Sequence, residues 1–238
     1  MEKISDWFYQ DLEQTPSTND AVVDFWLKTK APSIVSAKIQ INGRGRLGRK
    51  WQAANGNLYV SFIYQIRPED LGQMVILSAV AVCRTIESFV KTANVEIKWP
   101  NDVLLEAKKI SGILFEKGPD DYWIMGIGIN VQTTPDVKNA LYPVTSLAAY
   151  GIKTNRLTVL KRLVQNFDEL KKNYQEQGFD MIRNSWLDKA YNRGKKVVIK
   201  QLNKEIYGIL DNLDGNGRLI LKTDQGLQKI MAGDVFKA

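Results

Sequence analysis

The 238-residue sequence has no histidine and one cysteine. Without imidazole there is no Ser-His-Asp triad, no Cys-His pair and no histidine-containing zinc site, so acid–base chemistry falls to Lys, Asp, Glu or Tyr. The lone Cys83 excludes an internal disulfide. It sits in the apolar run Met74–Cys83 and reads as a buried core thiol, because a reactive thiol wants a cationic, partly exposed setting. Long apolar runs are missing too. No stretch is long enough to span a bilayer, and the charged start Met1-Glu-Lys-Ile-Ser-Asp-Trp7 lacks the core of a signal peptide. The expectation is a cytoplasmic protein with no membrane partner.

What is present is ordinary for a globular chain: 44% hydrophobic and 25% charged residues, which excludes global disorder, collagen and coiled coil. The length fits one large domain, or a medium one plus a small one. Lys and Arg outnumber Asp and Glu by 33 to 26, a net charge of +7. Such a balance suits an anionic partner: nucleic acid, a phosphorylated small molecule or an acidic protein. Charge alone does not choose among them.

Periodicity predicts a helix over 21–28, opened by Ser17 or Thr18 as N-cap, and strands over 34–41 and 58–67. A long apolar-faced helix is predicted over 71–93. Four strand-like pieces follow at 95–99, 103–106, 109–116 and 122–131, close enough together to be antiparallel neighbours. Helices are predicted over 155–177 and 181–189. After Asn192-Arg-Gly194 the pattern turns to short strands at 195–200, 205–211, 217–222 and 227–231, split by turns such as Asp214-Gly-Asn-Gly217. The expected class is α+β, since helices and strands do not alternate one for one. The expected domains are 1–190 and a small all-β unit, 191–238.

Residues 43–51 read Gly-Arg-Gly-Arg-Leu-Gly-Arg-Lys-Trp. The glycine spacing matches G-x-G-x-x-G, but a dinucleotide loop should open a helix, and here a turn and a strand follow. Glycines let backbone N–H groups approach an anion, and arginines add planar forks that grip phosphate or carboxylate. The loop alone also admits a mobile basic loop or a contact to nucleic-acid phosphates. Lys98-Trp-Pro-Asn-Asp102 places an amide and a carboxylate side by side at a strand end; Asp102 could take Mg²⁺, or the pair could be a plain polar turn. Lys109 opens an apolar strand, which leaves its ammonium at a pocket edge or simply at a strand end. Gly126-Ile-Gly-Ile-Asn130 marks close approach of a ligand or of another backbone.

Taken in order, these segments closely resemble the biotin–protein ligase family. The resemblance runs from Ser17-Thr-Asn19 through Gln40, Gly43–Trp51, Lys98–Asp102, Lys109-Ile-Ser-Gly-Ile-Leu114 and Gly126–Asn130. It continues into the small β unit, which resembles that family's C-terminal SH3-like barrel. The resemblance implies a mixed, mainly antiparallel sheet with helices, of the class II synthetase-like kind. It implies a two-step reaction: biotin and MgATP give biotinyl-5′-adenylate and pyrophosphate, then a lysine of a biotin carrier domain, that of acetyl-CoA carboxylase, takes the biotin and releases AMP. Ser17, Thr18, Asn19, Gln40, Gly43, Gly45, Gly112 and Gly126 would belong to the biotin end. Trp51 and Ile113-Leu114 would supply its apolar walls. Arg44 and Arg46 would close over the carboxylate and α-phosphate, and Lys109 would bridge them. Arg46, Arg49, Lys98, Asn101 and Asn130 would hold ATP, with Trp51 near the adenine and Asp102 near Mg²⁺. Asn42, preceded by Ile41, departs from the small residue common before the Gly-Arg run.

The nearest rival is a lipoate–protein ligase or octanoyl transferase. The rival of another class is a DNA-binding repressor, since some biotin ligases carry a helix-turn-helix domain ahead of the Ser-Thr-Asn segment. Ser17 lies so early that none fits before it, so the expectation is a monofunctional ligase without DNA binding. Exposed sheet edges could pair two copies into a homodimer.

Overall fold

The computed structural model describes residues 1–137, 142–201 and 204–238. The first sheet has eight strands: β1 (Glu2–Ile4), β2 (Trp7–Thr15), β3 (Ser33–Gln40), β4 (Leu58–Gln65), β5 (Val95–Lys98), β6 (Asp102–Leu105), β7 (Lys108–Lys117) and β8 (Tyr122–Ile129). Their spatial order is β1-β2-β3-β4-β8-β7-β6-β5. Every pairing is antiparallel except β2 with β3. That parallel pair needs a crossover, which α1 (Thr18–Thr29) supplies. The α+β class and the run of antiparallel neighbours agree with the sequence. The two N-terminal strands were not foreseen.

β4 is buried at seven of its eight positions. Helices cover both sides of it. Val35, Ile63 and Ile124 pack under α1 with Val22, Phe25 and Trp26. On the other face Val60, Phe62 and Tyr64 meet α2 (Leu71–Glu87), α3 (Arg156–Gln177) and α4 (Phe179–Asp188). Phe167 is central there, 5.6 Å from Phe62 and 5.7 Å from Tyr64 between ring centroids. Truncating it to Ala would cost about 3–5 kcal/mol, because the packed rings cannot close the void. Asn155 caps α3 by accepting from Leu157 N and Thr158 N. α2 stops at Glu87, six residues short of the predicted end. Cys83 is a core thiol, pushed up by burial.

The second sheet holds β9 (Lys196–Gln201), β10 (Lys204–Leu213), β11 (Leu219–Thr223), β12 (Gly226–Ile230) and β13 (Asp234–Lys237), in the order β12-β11-β10-β9-β13. The outer strands β12 and β13 do not pair, so among the described residues this sheet is open rather than the closed barrel expected. Its inner face joins the main core through Val197, Ile199, Leu221 and Val235. The Asp214–Gly217 turn docks on the first unit, where Gln73 Nε2 donates to Gly215 O at 2.6 Å. No helix among the described residues is long and apolar enough to cross a membrane.

Candidate active site

A cavity of about 710 Å³ lies where the N-terminus of α1, the Gly/Arg loop and the strands β6, β7 and β8 converge. Its two ends differ in chemistry. One is neutral and polar. Ser17, Thr18, Asn19 and Gln40 all line the cavity and are at most 7% exposed. Ser17 is the N-cap of α1, yet its side chain makes no capping bond and stays available. Gln40 Oε1 accepts from both Thr18 N (2.9 Å) and Thr18 Oγ1 (3.0 Å). Asn19 Nδ2 donates to Glu116 Oε2 at 2.6 Å, which turns Asn19 Oδ1 towards Ser61 Oγ. A flipped amide would set its oxygen against the carboxylate, so Glu116 fixes the orientation.

Glycines make room for this arrangement. A Cβ on Gly126 would overlap the Asn19 amide, and one on Gly128 would overlap the Trp51 indole. Gly112 also faces that ring. The Gly-Ile-Gly strand is therefore a bed for two side chains from elsewhere in the chain, and the indole forms a wall opposite Ile113 and Leu114. Gly43 does not line the cavity but backs Gln40 and Trp51, while Gly45 lines it.

The loop holds a 3₁₀ turn, Arg46–Gly48, with Leu47 at φ 56°. Gly45 N donates to Arg49 O at 2.7 Å and Trp51 N to Gly43 O at 2.9 Å, closing the loop on itself. Its arginines are all paired within the chain. Arg44 forks onto Asp20 at 2.6 and 2.9 Å and reaches Glu116 at 3.1 and 3.2 Å. The pair holds Asp20 below the usual carboxylate range and raises the guanidinium. Arg44 is thus turned onto two carboxylates rather than onto the cavity centre. Arg46 donates to Asn101 Oδ1 (3.0 Å) and to Gly233 O (3.3 and 3.4 Å), and lies 3.6 Å from Asp234. Arg49 Nη2 donates to Asp234 Oδ1 at 3.1 Å. The second sheet therefore contributes directly to the cationic end.

Lys109 Nζ lies 2.7 Å from Asp102 Oδ1, an ion-pair contact without directed hydrogen-bond geometry. The Tyr142 hydroxyl donates to the other oxygen of Asp102. Lys98 is one layer deeper, not on the cavity wall. Its ammonium sits 3.5 Å from the Tyr142 ring centroid and 5.1 Å from that of Phe236. Burial pulls Lys98 down to about 8, against the opposing pull of Asp102 and Asp234. Asn101 lines the cavity and is braced by Nδ2 donating to Ile113 O at 2.8 Å. Asn130 Nδ2 donates to Thr145 O, leaving Asn130 Oδ1 buried and unpaired. Trp51 Nε1 is also buried without a hydrogen-bond partner, and both residues line the same cavity. Buried polar atoms without partners are costly, so a ligand that pairs with them binds with that cost already met.

Sequence reasoning missed Ser61, Glu116, Asp20, Tyr142 and Asp234. A serine inside the apolar strand Leu58–Gln65 was a usable signal for Ser61. Asp234 carried none, because it meets Arg49 across 185 positions of sequence.

Known proteins resemble this chain. Residues 12–130 match the biotin/lipoate A/B protein ligase family, and residues 194–238 match the biotin protein ligase C terminal domain. The chain is 32% identical over 238 residues to a biotin–[acetyl-CoA-carboxylase] ligase of Paracoccus denitrificans, covering 94% of this chain and 98% of that one. It is 35% identical over 215 residues to the bifunctional ligase/repressor BirA of Bacillus subtilis (strain 168), covering 85% of this chain and spanning 65% of that relative's length. Among solved structures, a biotin protein ligase from Aquifex aeolicus in complex with biotin and ATP superposes with a TM-score of 0.84 at 28% identity, covering 96% of this chain and 97% of that chain.

Proposed function

Because the chain belongs to the biotin/lipoate A/B protein ligase family, we propose that it is a biotin–protein ligase: it activates biotin with MgATP and passes it to a carrier lysine. One observation supports this reading above the others. A single cavity runs from a neutral end of hydroxyls and amides, past Trp51 and Lys109, to an end of arginines. Biotin's ureido ring offers two N–H donors and one strong acceptor, which the first end matches. A triphosphate matches the second.

In the first step the biotin carboxylate attacks the α-phosphorus, the bond to the β-phosphate oxygen breaks, and pyrophosphate leaves. Negative charge gathers on the non-bridging oxygens, where the fixed cations of Lys109 and Arg46 stabilise it. Asp102 holds Lys109 in place. Asn130 Oδ1 and Trp51 Nε1 are the polar atoms left for the nucleotide. In the second step a neutral lysine amine adds to the acyl carbonyl, the amine's proton passes to solvent and AMP leaves as an anion, so no acid has to protonate the leaving group. That suits a chain without histidine.

Asp102 fits a Mg²⁺ carried in on phosphates, since its buried Oδ1 makes only an undirected ion-pair contact with Lys109, and this ion often takes only one or two protein carboxylates. Among the described residues no cluster of three metal-ligating side chains offers a protein-only cage. Mg²⁺ there would draw charge from the β- and γ-phosphates.

The proposal treats residues 1–190 as the catalytic unit and 191–238 as a unit that completes the cationic end. It carries a cytoplasmic location, as ATP is the co-substrate, and acetyl-CoA carboxylase's biotin carrier domain as acceptor. It does not extend to a homodimer through sheet edges: β1 is three residues long, and the outer side of β5 is bonded to residues 189–191. Biotin-dependent ATP–pyrophosphate exchange, with lipoate as competing acid, tests the reading. Exchange with biotin alone is expected, because a site built to hydrogen-bond a ureido group rejects an acid lacking it. Exchange with lipoate but not biotin overturns it.

A further inference from the structure

The second sheet has one buried face and one face that is bare over β10, β11 and β12. On the bare face Leu227 of β12 pairs with Lys222 of β11, which pairs with Ile209 of β10, which pairs with Lys196 of β9. Tyr207, two residues along β10, is on the same side. Leu227 is 67% exposed, Tyr207 61%, and Met231, just past β12, 78%. The solvent side of an antiparallel sheet is normally polar, so large apolar groups gathered there mark a contact surface.

The surface comes close to the cavity. Tyr207 pairs with Val198 and Val198 with Phe236, whose ring lies under the Lys98 ammonium. Two residues after Met231, Gly233 O accepts from Arg46. The residue after Arg46 is Leu47, 68% exposed and left-handed at φ 56°. A branched apolar side chain is poorly placed both in that conformation and in that exposure. Its exposure points to a use outside the folded chain.

Charge narrows the partner. Residues 191–238 carry nine Lys and Arg against five Asp and Glu. Four of the five acids are already paired, Glu205 with Lys200, Asp211 with Lys222, Asp214 with Arg218 and Asp234 with Arg49. The surplus is cationic, and Lys196 and Lys229 belong to it. A lysine on a folded domain can reach an acyl carbonyl inside the cavity only if that domain rests on the cavity rim.

We propose that the bare face of the second sheet, continued by Leu47 on the Gly/Arg loop, is where an acidic carrier domain lands to present its lysine. This rests on the ligase reading above. The surface supplies an apolar centre ringed by lysines, the usual build of a specific but reversible interface.

Hydroxylamine separates docking from chemistry, because this small nucleophile captures biotin from the adenylate without needing a landing surface. The variants are Leu227→Ser/Met231→Ser and Lys196→Glu/Lys229→Glu. Each is measured in pyrophosphate exchange, in transfer to hydroxylamine, and in transfer to a recombinant biotin carrier domain of an acetyl-CoA carboxylase. Exchange and hydroxylamine transfer should stay within about twofold of the parent, while KM for the carrier domain rises about tenfold or more with kcat little changed. Carrier KM unchanged in both variants, with exchange intact, overturns the docking surface alone. Equal losses in all three assays also overturn it. A parent protein that shows no biotin-dependent exchange overturns the ligase reading, and this inference with it.

Discussion

At the Ser17–Gln40 end of the cavity the polar groups are neutral, buried and satisfied largely by one another. At the Arg46–Lys98 end they are charged and held on carboxylates brought from distant parts of the chain. The first end is finished before any ligand arrives, since Gln40, Thr18, Ser61, Asn19 and Glu116 form one connected network. The second is provisional. Under the ligase reading, Asp234 stands where phosphate oxygens would stand for Arg46 and Arg49. Neutral recognition can be fixed in advance at small cost. Clustered cations without a ligand repel one another, so they are stored on internal anions.

This contrast can be broken in graded ways. The largest effect is expected at Lys109, which lies between the two ends beside Trp51 and Asp102. Lys109→Ala should lower exchange about 10³-fold, the usual scale for removing one transition-state donor, mostly in kcat. A loss confined to biotin KM would make Lys109 a plain binding residue. Next comes Gly126→Ala, whose methyl would meet the Asn19 amide. It should raise KM for biotin roughly 30-fold, about 2 kcal/mol for a disrupted buried hydrogen bond, and leave KM for ATP within about twofold. Similar rises for both substrates would mean that the ends are not independent.

Arg46→Ala is the third. It should shorten retention of biotinyl-adenylate by about tenfold, roughly 1.4 kcal/mol, while biotin alone binds nearly as in the parent. Equal losses in the two assays would reject the division into ends. The smallest effect concerns acid. Arg44 holds the folded-state Asp20 below its ordinary 3.8. That stabilisation is complete above the unfolded value and fades as pH falls through the lower folded one. Asp20→Asn should therefore lose less stability than the parent as pH falls below about 4, about a few degrees in Tm at most, because the pair is partly exposed. Parallel acid melting curves for the two proteins would show that the pair contributes nothing.

Legibility in the sequence followed the range of the contact. Gly43–Trp51, Lys98–Asp102 and Gly126–Asn130 could be read directly, because each is a run of residues whose types limit the chemistry. Placing Trp51 on Gly128 could not, as neither residue names the other. β2 was missed because its hairpin partner β1 is only three residues long and its other partner, β3, is parallel and lies beyond a helix. The predicted helix over 71–93 overran because apolar residues continue past Glu87, while the backbone leaves the helix at Ser88. Arg44 shows a subtler limit. Its type and place suggested a grip on substrate, and only three-dimensional proximity reveals Asp20 and Glu116 as its partners.

The glycine bed has a consequence for anyone wishing to widen the range of acids this protein accepts. Redesign of a pocket ordinarily proceeds by trimming side chains, and at Gly112, Gly126 and Gly128 nothing remains to trim. Extra space for a bulkier biotin analogue would have to come from the mobile partner in each contact. The indole of Trp51 is the largest such reserve, and shortening it would also remove the wall that separates the two halves of the cavity.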